Sequence, residues 1–501
     1  MYYEGKSIGI LGIEGFMVKV EADIGRGMPG FNIVGLPDTA IREARERIKT
    51  AIVNSGYKFP NKKIVLNLSP ADVRKEGSHF DLSMALLILQ ETEKLQIKEL
   101  NEGLFLGELS LNGKIRSIRG VLPMILKAKE NKISPIIIPT ANLKEVGMLE
   151  DRDSIYGANS LDEVVEFLRG NLKLETPQGL LRQKKKYDLD FSDVKGNFEA
   201  KRACEISAAG HHHLFLVGAP GSGKTMIARR LPGIMEDLEE DEILKISRIY
   251  SVTELQNPGL EGERPFRAPH HSITRTGLIG GGFDSKPGEI VLSNGGVLFL
   301  DEALEFDRRV LDSLRQPVED REILLSRVKT KTKYPCDFIM VFSANNCLCN
   351  NRECRCADWE IKRYLGRVSG PLLDRFDLYV DMLPIEFSEL TNEACDEYTT
   401  EQMKSRVEKA VKIQKNRYKG RNYSYNGQMP ASDISKFIKL SSTEKEFLEM
   451  AFEKVGLSAR SYHKLLKISR TIADLEGSEL VEVSHLAQGL SYRKAYEKYW
   501  G

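Results

Sequence analysis

The eight residues Gly218-Ala219-Pro220-Gly221-Ser222-Gly223-Lys224-Thr225 constrain this chain more than any other stretch. They follow residues 213–217, an apolar run of strand length, and precede residues 226–231, which read as the first turns of a helix. Strand, glycine-rich turn and helix start together make a phosphate-binding loop. The glycines let successive N–H groups point at one anion, and the helix N-terminus adds its partial positive charge. Lys224 is expected to reach the β- and γ-phosphates of ATP, and the Thr225 hydroxyl to ligate Mg²⁺.

Two later stretches complete such a site. Gly296-Val297-Leu298-Phe299-Leu300-Asp301-Glu302 is an apolar run ending in two carboxylates. A buried parallel strand of that kind delivers its acids to the carboxyl edge of the sheet, where ligands of such folds bind. Asp301 is expected to hold the Mg²⁺ shell, and Glu302 to orient and polarise the attacking water. Residues 338–342 read as another core strand, ending in Ser343-Ala344-Asn345-Asn346. Asn345 is expected to share the attacking water with Glu302.

A chain of 501 residues exceeds one ordinary core, so several domains are expected. Charged residues at 29% and hydrophobic ones at 41% fit a globular protein, and a net charge of +1 confines any nucleic-acid surface to a local patch. The N-terminus lacks the layout of a signal peptide and no apolar run approaches a membrane span, so a cytoplasmic protein is expected. Residues 1–170 mix strand and helix signals, 171–192 dissolve into a linker with the charge run Lys184-Lys185-Lys186, 193–385 hold the motor motifs, and 386–501 are helical. In that last unit Thr443 and Glu446 read as a capping box before residues 447–455.

The first unit resembles the proteolytic domain of the Lon family. Residues 113–140 look like the segment that carries the Lon catalytic lysine, and Glu76-Gly77-Ser78-His79-Phe80-Asp81 falls where Lon has its nucleophilic serine. Aligned by Met84, the serine position holds His79 and the lysine position falls on Leu122 or Met124. A Ser–Lys dyad needs a hydroxyl and an amine to deprotonate it. The expectation is a Lon-like (S5 domain 2-like) α+β fold without protease chemistry, with Ser78 one residue away from the nucleophile position.

The second unit opens with Asp193-Val194-Lys195-Gly196, which resembles the adenine-side segment of AAA+ ATPases and implies that Val194 borders the nucleotide. Ser369-Gly370-Pro371-Leu372-Leu373-Asp374-Arg375-Phe376-Asp377 resembles the arginine-finger segment of the helix-2-insert AAA+ group. That resemblance implies that Arg375 stabilises the γ-phosphate charge of an adjacent subunit, and hence a ring. Leu457-Ser458-Ala459-Arg460-Ser461-Tyr462-His463 resembles the sensor 2 segment, which implies that Arg460 lies over the nucleotide of its own subunit and reports γ-phosphate loss to a helical lid.

With Gly30-Phe31-Asn32-Ile33-Val34-Gly35-Leu36-Pro37-Asp38, Arg267-Ala268-Pro269-His270-His271 and Pro287-Gly288-Glu289-Ile290 added, the chain resembles the ComM/YifB family of magnesium-chelatase-like AAA+ ATPases across nearly its whole length. The resemblance implies a hexameric DNA helicase that drives branch migration during natural transformation. Residues alone imply an ATP-driven ring. Other readings are a motor for metal insertion into a porphyrin, against which the Lon-like unit argues, and an ATP-driven protein remodeller.

Residues 323–335 read as a hairpin whose far arm carries Lys329, Lys331 and Lys333 on one face, with Arg327 at the near turn. In the resembled group this hairpin points into the pore, where such lysines would meet single-stranded or branched DNA through its phosphates. An exposed polar edge is the alternative. Residues 264–282, with Arg267, His270, His271 and Arg275, suggest a mobile insert loop that also touches DNA. Of seven cysteines, Cys347, Cys349, Cys354 and Cys356 fit four thiolates around one structural Zn²⁺. Cys204, Cys336 and Cys395 read as ordinary buried or semi-buried thiols, and His211-His212-His213 as local packing rather than a metal site.

Overall fold

The computed structural model describes residues 1–501 except 94, 96, 180–187, 283–285, 327–330, 348, 350–355 and 385–397. The expected charge run at Lys184-Lys185-Lys186, and Arg327, Lys329, Cys354 and Cys395, therefore lie outside the described residues. Among those described, no helix is long and apolar enough to cross a membrane. The chain divides into two compact units, residues 1–183 with 240–261, and residues 184–239 with 262–501.

The first unit is built on a mixed sheet of seven strands, β1 (Tyr2–Leu11), β2 (Glu14–Gly25), β3 (Gly30–Val34), β4 (Lys63–Ser69), β5 (Leu104–Phe105), β6 (Ile136–Pro139) and β7 (Ile155–Ala158), in the order β3-β4-β2-β1-β5-β6-β7. Period-two alternation buries Val18, Val20, Ala22 and Ile24 of β2 beside Ile64, Leu66 and Leu68 of β4. Helix α1 (Thr39–Asn54) starts at Asp38, whose carboxylate accepts the Ile41 N–H. Helix α2 (Asp81–Glu93) buries every residue from Asp81 to Gln90, which is why it lacks an amphipathic pattern and lies in the middle of the core. Helix α3 (Val121–Glu130) supports the β5–β6 side, and α4 (Leu161–Leu168) starts at the Ser160 cap.

This is a Lon-like fold with the reactive positions filled by packing. His79 is buried, its Nε2 lies 3.0 Å from the Ile8 carbonyl, and burial pushes its pKa down to about 4. Leu122 and Met124 are fully buried in the cluster around α3. The Ser78 hydroxyl donates to the Glu108 carboxylate, and the buried Lys75 amine donates to the Pro70 carbonyl.

A boundary near residue 170 does not account for residues 240–261. These come from the middle of the motor sequence and yet belong to the first unit. The helix Glu240–Ser251 buries Ile246, Ile249 and Tyr250, while Leu244 packs against the cluster that holds Leu122 and Met124. At its end, the Ser251 carbonyl accepts the Gly120 N–H at 2.7 Å and its hydroxyl accepts the Leu122 N–H at 3.3 Å. Ser251 thus satisfies donors at the start of α3 that have no partner within the helix. Arg248 pairs with Glu14 at 2.7 Å. The helix on which the Lon lysine is expected is therefore covered by a motor-derived helix.

The second unit holds the motor and the lid. Helix α5 (Phe198–Gly210) leads into β8 (Leu214–Gly218) and α6 (Lys224–Ile234). Strands β9 (Phe266–Arg267), β10 (Val297–Leu300), β13 (Ile339–Ala344) and β14 (Leu378–Met382) join β8 in one all-parallel sheet, in the order β9-β10-β13-β8-β14. Between β10 and β13, β11 (Glu322–Ser326) and β12 (Lys331–Pro335) form the expected hairpin, with Ser326 opposite Lys331. The lid contains α7 (Thr400–Arg417), α8 (Ser442–Val455), α9 (Ala459–Leu475) and α10 (Val483–Ser491). Sheet residues Leu214, Val341 and Val380 share one buried cluster with lid residues Met403, Val407, Ile468 and Ile472, so motor core and lid form a single packed body.

One cap differs from expectation. Helix α8 begins at Ser441, whose box partner is Glu444, rather than at Thr443 with Glu446. Both spacings satisfy the box, and the earlier one adds residues to the helix while still satisfying its first donors.

Candidate nucleotide site

The loop 218–223 joins the carboxyl end of β8 to α6, and Gly221 and Gly223 carry φ values of 78° and 89°. Those left-handed conformations are what lets a chain turn this tightly, and a side chain there would strain it. Lys224 curls back over the loop, and its amine donates to the Gly218 carbonyl at 2.8 Å, the Ala219 carbonyl at 2.9 Å and Asn345 Oδ1 at 3.2 Å. Burial lowers the Lys224 pKa to about 8, with the Asp301 and Glu302 carboxylates pulling the other way.

The Thr225 hydroxyl donates to Asp301 Oδ2 at 2.9 Å. Ser343, at the end of β13, donates to Asp301 Oδ1 and accepts the Glu302 N–H at 3.1 Å. Glu302 has φ 50° and is exposed, so the turn after β10 carries its carboxylate outward while Asp301 stays tied down. The structure thus gathers Lys224, Thr225, Asp301 and Asn345 at the carboxyl edge of the sheet, with Glu302 adjoining. Thr225 and Asp301 converge as an all-oxygen set, which fits the hard-ligand preference of Mg²⁺. Val194 is buried in the core cluster, and nearby Asn197 donates from its amide to the Ser222 carbonyl at 3.2 Å.

Arg375 and Arg460 are placed elsewhere. Arg375 lies just before the start of β14, and the Asp377 N–H bonds the carbonyl of His213, the residue preceding β8. That is the amino edge of the sheet, opposite the loop. Arg375 donates to the Glu319 carboxylate, and Arg460 lies 3.7 Å from the other oxygen of the same group. Both arginines line a cavity of ≈ 330 Å³ with Asp337, Asp374, His463 and Lys467. The expectation that Arg460 lies over the nucleotide of its own subunit is therefore not met: the start of α9 packs at the amino edge beside Arg375.

His212, expected as local packing, bridges two elements. Its Nδ1 lies 3.1 Å from Asp377 and its Nε2 2.9 Å from the Thr471 hydroxyl on α9. Glu319 and Lys464 have no motif that could have flagged them; Ser343 could have been found as a hydroxyl two residues before Asn345.

Other expected residues distribute as follows. Lys333 is exposed and pairs with Glu322 across the hairpin, while its neighbours Thr332 and Tyr334 are buried. In the insert, Arg267 is not displayed: it makes a two-point contact with Glu289 at 2.6 and 2.8 Å. Arg275 and His270 are exposed. The sulfurs of Cys347, Cys349 and Cys356 lie within 4.8 Å of one another.

Family models described as magnesium chelatase subunit ChlI match residues 190–390, and its C-terminal part residues 397–493. A further model, described as subunit ChlI of Mg-chelatase, matches residues 20–142. The competence protein ComM of Haemophilus influenzae is 40% identical over 492 residues, covering 96% of each chain. YifB of Escherichia coli is 39% identical over 487 residues, covering 96% of this chain and 95% of its own. Lon protease 2 of Bacillus subtilis is 29% identical over 121 residues, 24% of this chain and 21% of that one.

The depressed Lys224 pKa carries a sign that can be checked. Below about pH 8 the amine is already charged; above it, ATP binding must take up a proton, because bound phosphates favour the charged form. The expected affinity for ATP falls with rising pH from 8 upward, by at most about tenfold per unit. Calorimetry at pH 9 in two buffers of different ionisation enthalpy should register the proton, and affinity that is flat between pH 7 and 9.5 would contradict the assignment.

Proposed function

The chain belongs to the ComM/YifB family of magnesium-chelatase-like AAA+ ATPases, and from that premise we propose that it is a hexameric, ring-forming DNA motor of the cytoplasm acting in recombination or natural transformation. The observation that carries the reading is the separation of Lys224 from Arg375 and Arg460 at opposite edges of one parallel sheet. A phosphate held at the carboxyl edge of one copy meets these arginines only when a second copy presents its amino edge. The full-length match to a competence protein favours DNA as the substrate over metal chelation or protein remodelling.

Within that reading the loop N–H groups and Lys224 hold the triphosphate, and Thr225 and Asp301 hold Mg²⁺. When bound, the ion neutralises phosphate charge. Glu302 polarises the attacking water, and Asn345, already bonded to Lys224, keeps that water in line. Arg375 and Arg460 from the neighbouring copy offset the charge that grows on the γ-phosphate, and their withdrawal after hydrolysis moves the lid that is packed on the same body. The hairpin carries this motion to DNA, with Arg327, Lys329, Lys331 and Lys333 meeting backbone phosphates. Cys347, Cys349 and Cys356 would hold a structural Zn²⁺, since three sulfurs within 4.8 Å of one another suit one ion, and Cys354 is the fourth thiol that the sequence offers.

Three outcomes follow from these assignments. Lys224→Ala and Arg375→Ala subunits, each strongly impaired alone, are expected to hydrolyse more ATP when mixed than either does by itself, because some interfaces then pair an intact loop with an intact arginine; no gain at any ratio would place both residues in one subunit's site. Lys331→Ala with Lys333→Ala is expected to weaken single-stranded DNA binding and to reduce the slope of log affinity against log salt by about 0.7 per lysine, whereas an unchanged slope would move the DNA path off the hairpin. Metal analysis of the purified protein should find about one zinc per chain, and Cys347→Ser with Cys356→Ser should abolish it.

A further inference from the structure

Lys464 sits one turn along α9 from Arg460 and reaches across to the loop that carries Arg375. Its amine donates to the Asp374 carbonyl at 2.6 Å and to the Phe376 carbonyl at 2.6 Å, the two peptide groups that flank Arg375. Its third interaction is with Asp377 Oδ1 at 3.3 Å, and Asp377 is in turn held by His212, whose other ring nitrogen meets Thr471 on α9. An ammonium has three donors, and all three are spent on one loop. The side chain is only 19% exposed, so water competes little for them.

The guanidinium it frames is poised for an absent partner. Arg375 is 14% exposed, its Nη2 donates to Glu319, and its Nε and Nη1 are buried with no hydrogen-bond partner. Unmade bonds on a buried cation are costly unless a ligand supplies them. The same Glu319 carboxylate also faces Arg460, so one anion already bridges the two arginines in the cavity they share.

We propose that Lys464 is a positioning residue which fixes the arginine-finger loop to α9, so that Arg375 and Arg460 meet the γ-phosphate of the neighbouring subunit as one rigid pair, with Glu319 occupying the phosphate's place between them until that subunit docks. The proposal rests on the reading of Arg375 as a residue acting in trans. It makes the lid helix and the finger a single moving part: whatever displaces α9 displaces both guanidiniums. The Lys464 amine is bonded to the loop that carries Arg375, at the amino edge of the sheet and away from the phosphate-binding loop 218–223, so its loss leaves ATP affinity alone and acts only through Arg375.

ATP hydrolysis across ATP concentrations, with ring assembly and thermal unfolding followed in parallel, tests this on Lys464→Met, Lys464→Arg, Arg375→Ala and the double variant Arg375→Ala/Lys464→Met. The expected result for Lys464→Met is a kcat lowered by about ten- to a hundred-fold with KM for ATP changed less than about twofold. Lys464→Arg, which keeps a buried donor cation, recovers part of the rate. The double variant hydrolyses no more slowly than Arg375→Ala alone, since a residue that acts through Arg375 has nothing left to position. Multiplying losses in the double variant, or an unchanged kcat in Lys464→Met, would overturn the positioning role while leaving Arg375 intact as the finger. Normal hydrolysis by Arg375→Ala would instead overturn the trans reading, and the proposal with it. Should Lys464→Met fail to assemble, Lys464→Gln carries the same comparison with a neutral donor.

Discussion

An all-parallel sheet has two chemically different edges, and this motor depends on keeping them apart. Every strand of the β9-β10-β13-β8-β14 sheet points the same way, so the carboxyl ends collect the loop, Asp301, Glu302 and Asn345, while the amino ends collect His213, Asp377 and the residues packed on them. A five-residue strand spans roughly 17 Å. No side chain bridges that length, so Arg375 and Arg460 cannot reach a phosphate held by Lys224 of the same copy. Incompleteness is thus a property of the strand direction rather than of any one residue. The site's order at the carboxyl edge comes from bonds made without substrate: Lys224 to Asn345, Thr225 to Asp301, and Ser343 to both Asp301 and the Glu302 N–H.

The amino edge is made rigid by buried charge. Asp474 on α9 accepts from Arg417 on α7 and from Arg470 one turn back, and Asn426 donates to the same carboxylate at 2.9 Å. Asn426 also donates to Thr471, which meets His212, which meets Asp377. Groups this far from water need every partner, because a half-satisfied buried network is worse than an apolar one. Such a network has one favourable arrangement, and it ties the finger loop to two lid helices. That is the physical basis for treating lid and finger as one body.

The Lon-like unit shows what remains of a fold when its chemistry is replaced by packing. A serine–lysine pair requires an amine held beside a hydroxyl; here Leu122 and Met124 are fully buried, the Lys75 amine is spent on the Pro70 carbonyl, and the Ser78 hydroxyl on Glu108. Burial keeps His79 neutral down to about pH 4, which suits a core residue and not a base exchanging protons with substrate. The start of α3 is then capped by Ser251 from a helix that the chain inserts between α6 and β9. A helix terminus at a protease-like active site has thereby become a docking surface for a piece of the motor sequence.

What was legible in the sequence was what is local. The loop, the acid-ended strand and the Asn after β13 are contiguous stretches in which residue type, strand polarity and turn geometry agree, and the side chains meet as their order along the chain implies. Residues 240–261 gave no such sign, because an amphipathic helix carries its apolar face but not the identity of the surface it covers. Arg460 failed for a related reason. Its position at a helix start was readable, with Ser458 as the cap, but whether that helix start lies over the carboxyl or the amino edge is decided by how α9 packs against α5 and α7, through Ile468 and Ile472. Lys464 lies deeper still beyond motif reading. A lysine on a helix is ordinarily a solvated charge, and only the carbonyls of Asp374 and Phe376, brought to it from ninety residues earlier in the chain, turn it into a fixed joint. Motifs name the candidate groups; the fold decides at which edge of the sheet each one stands.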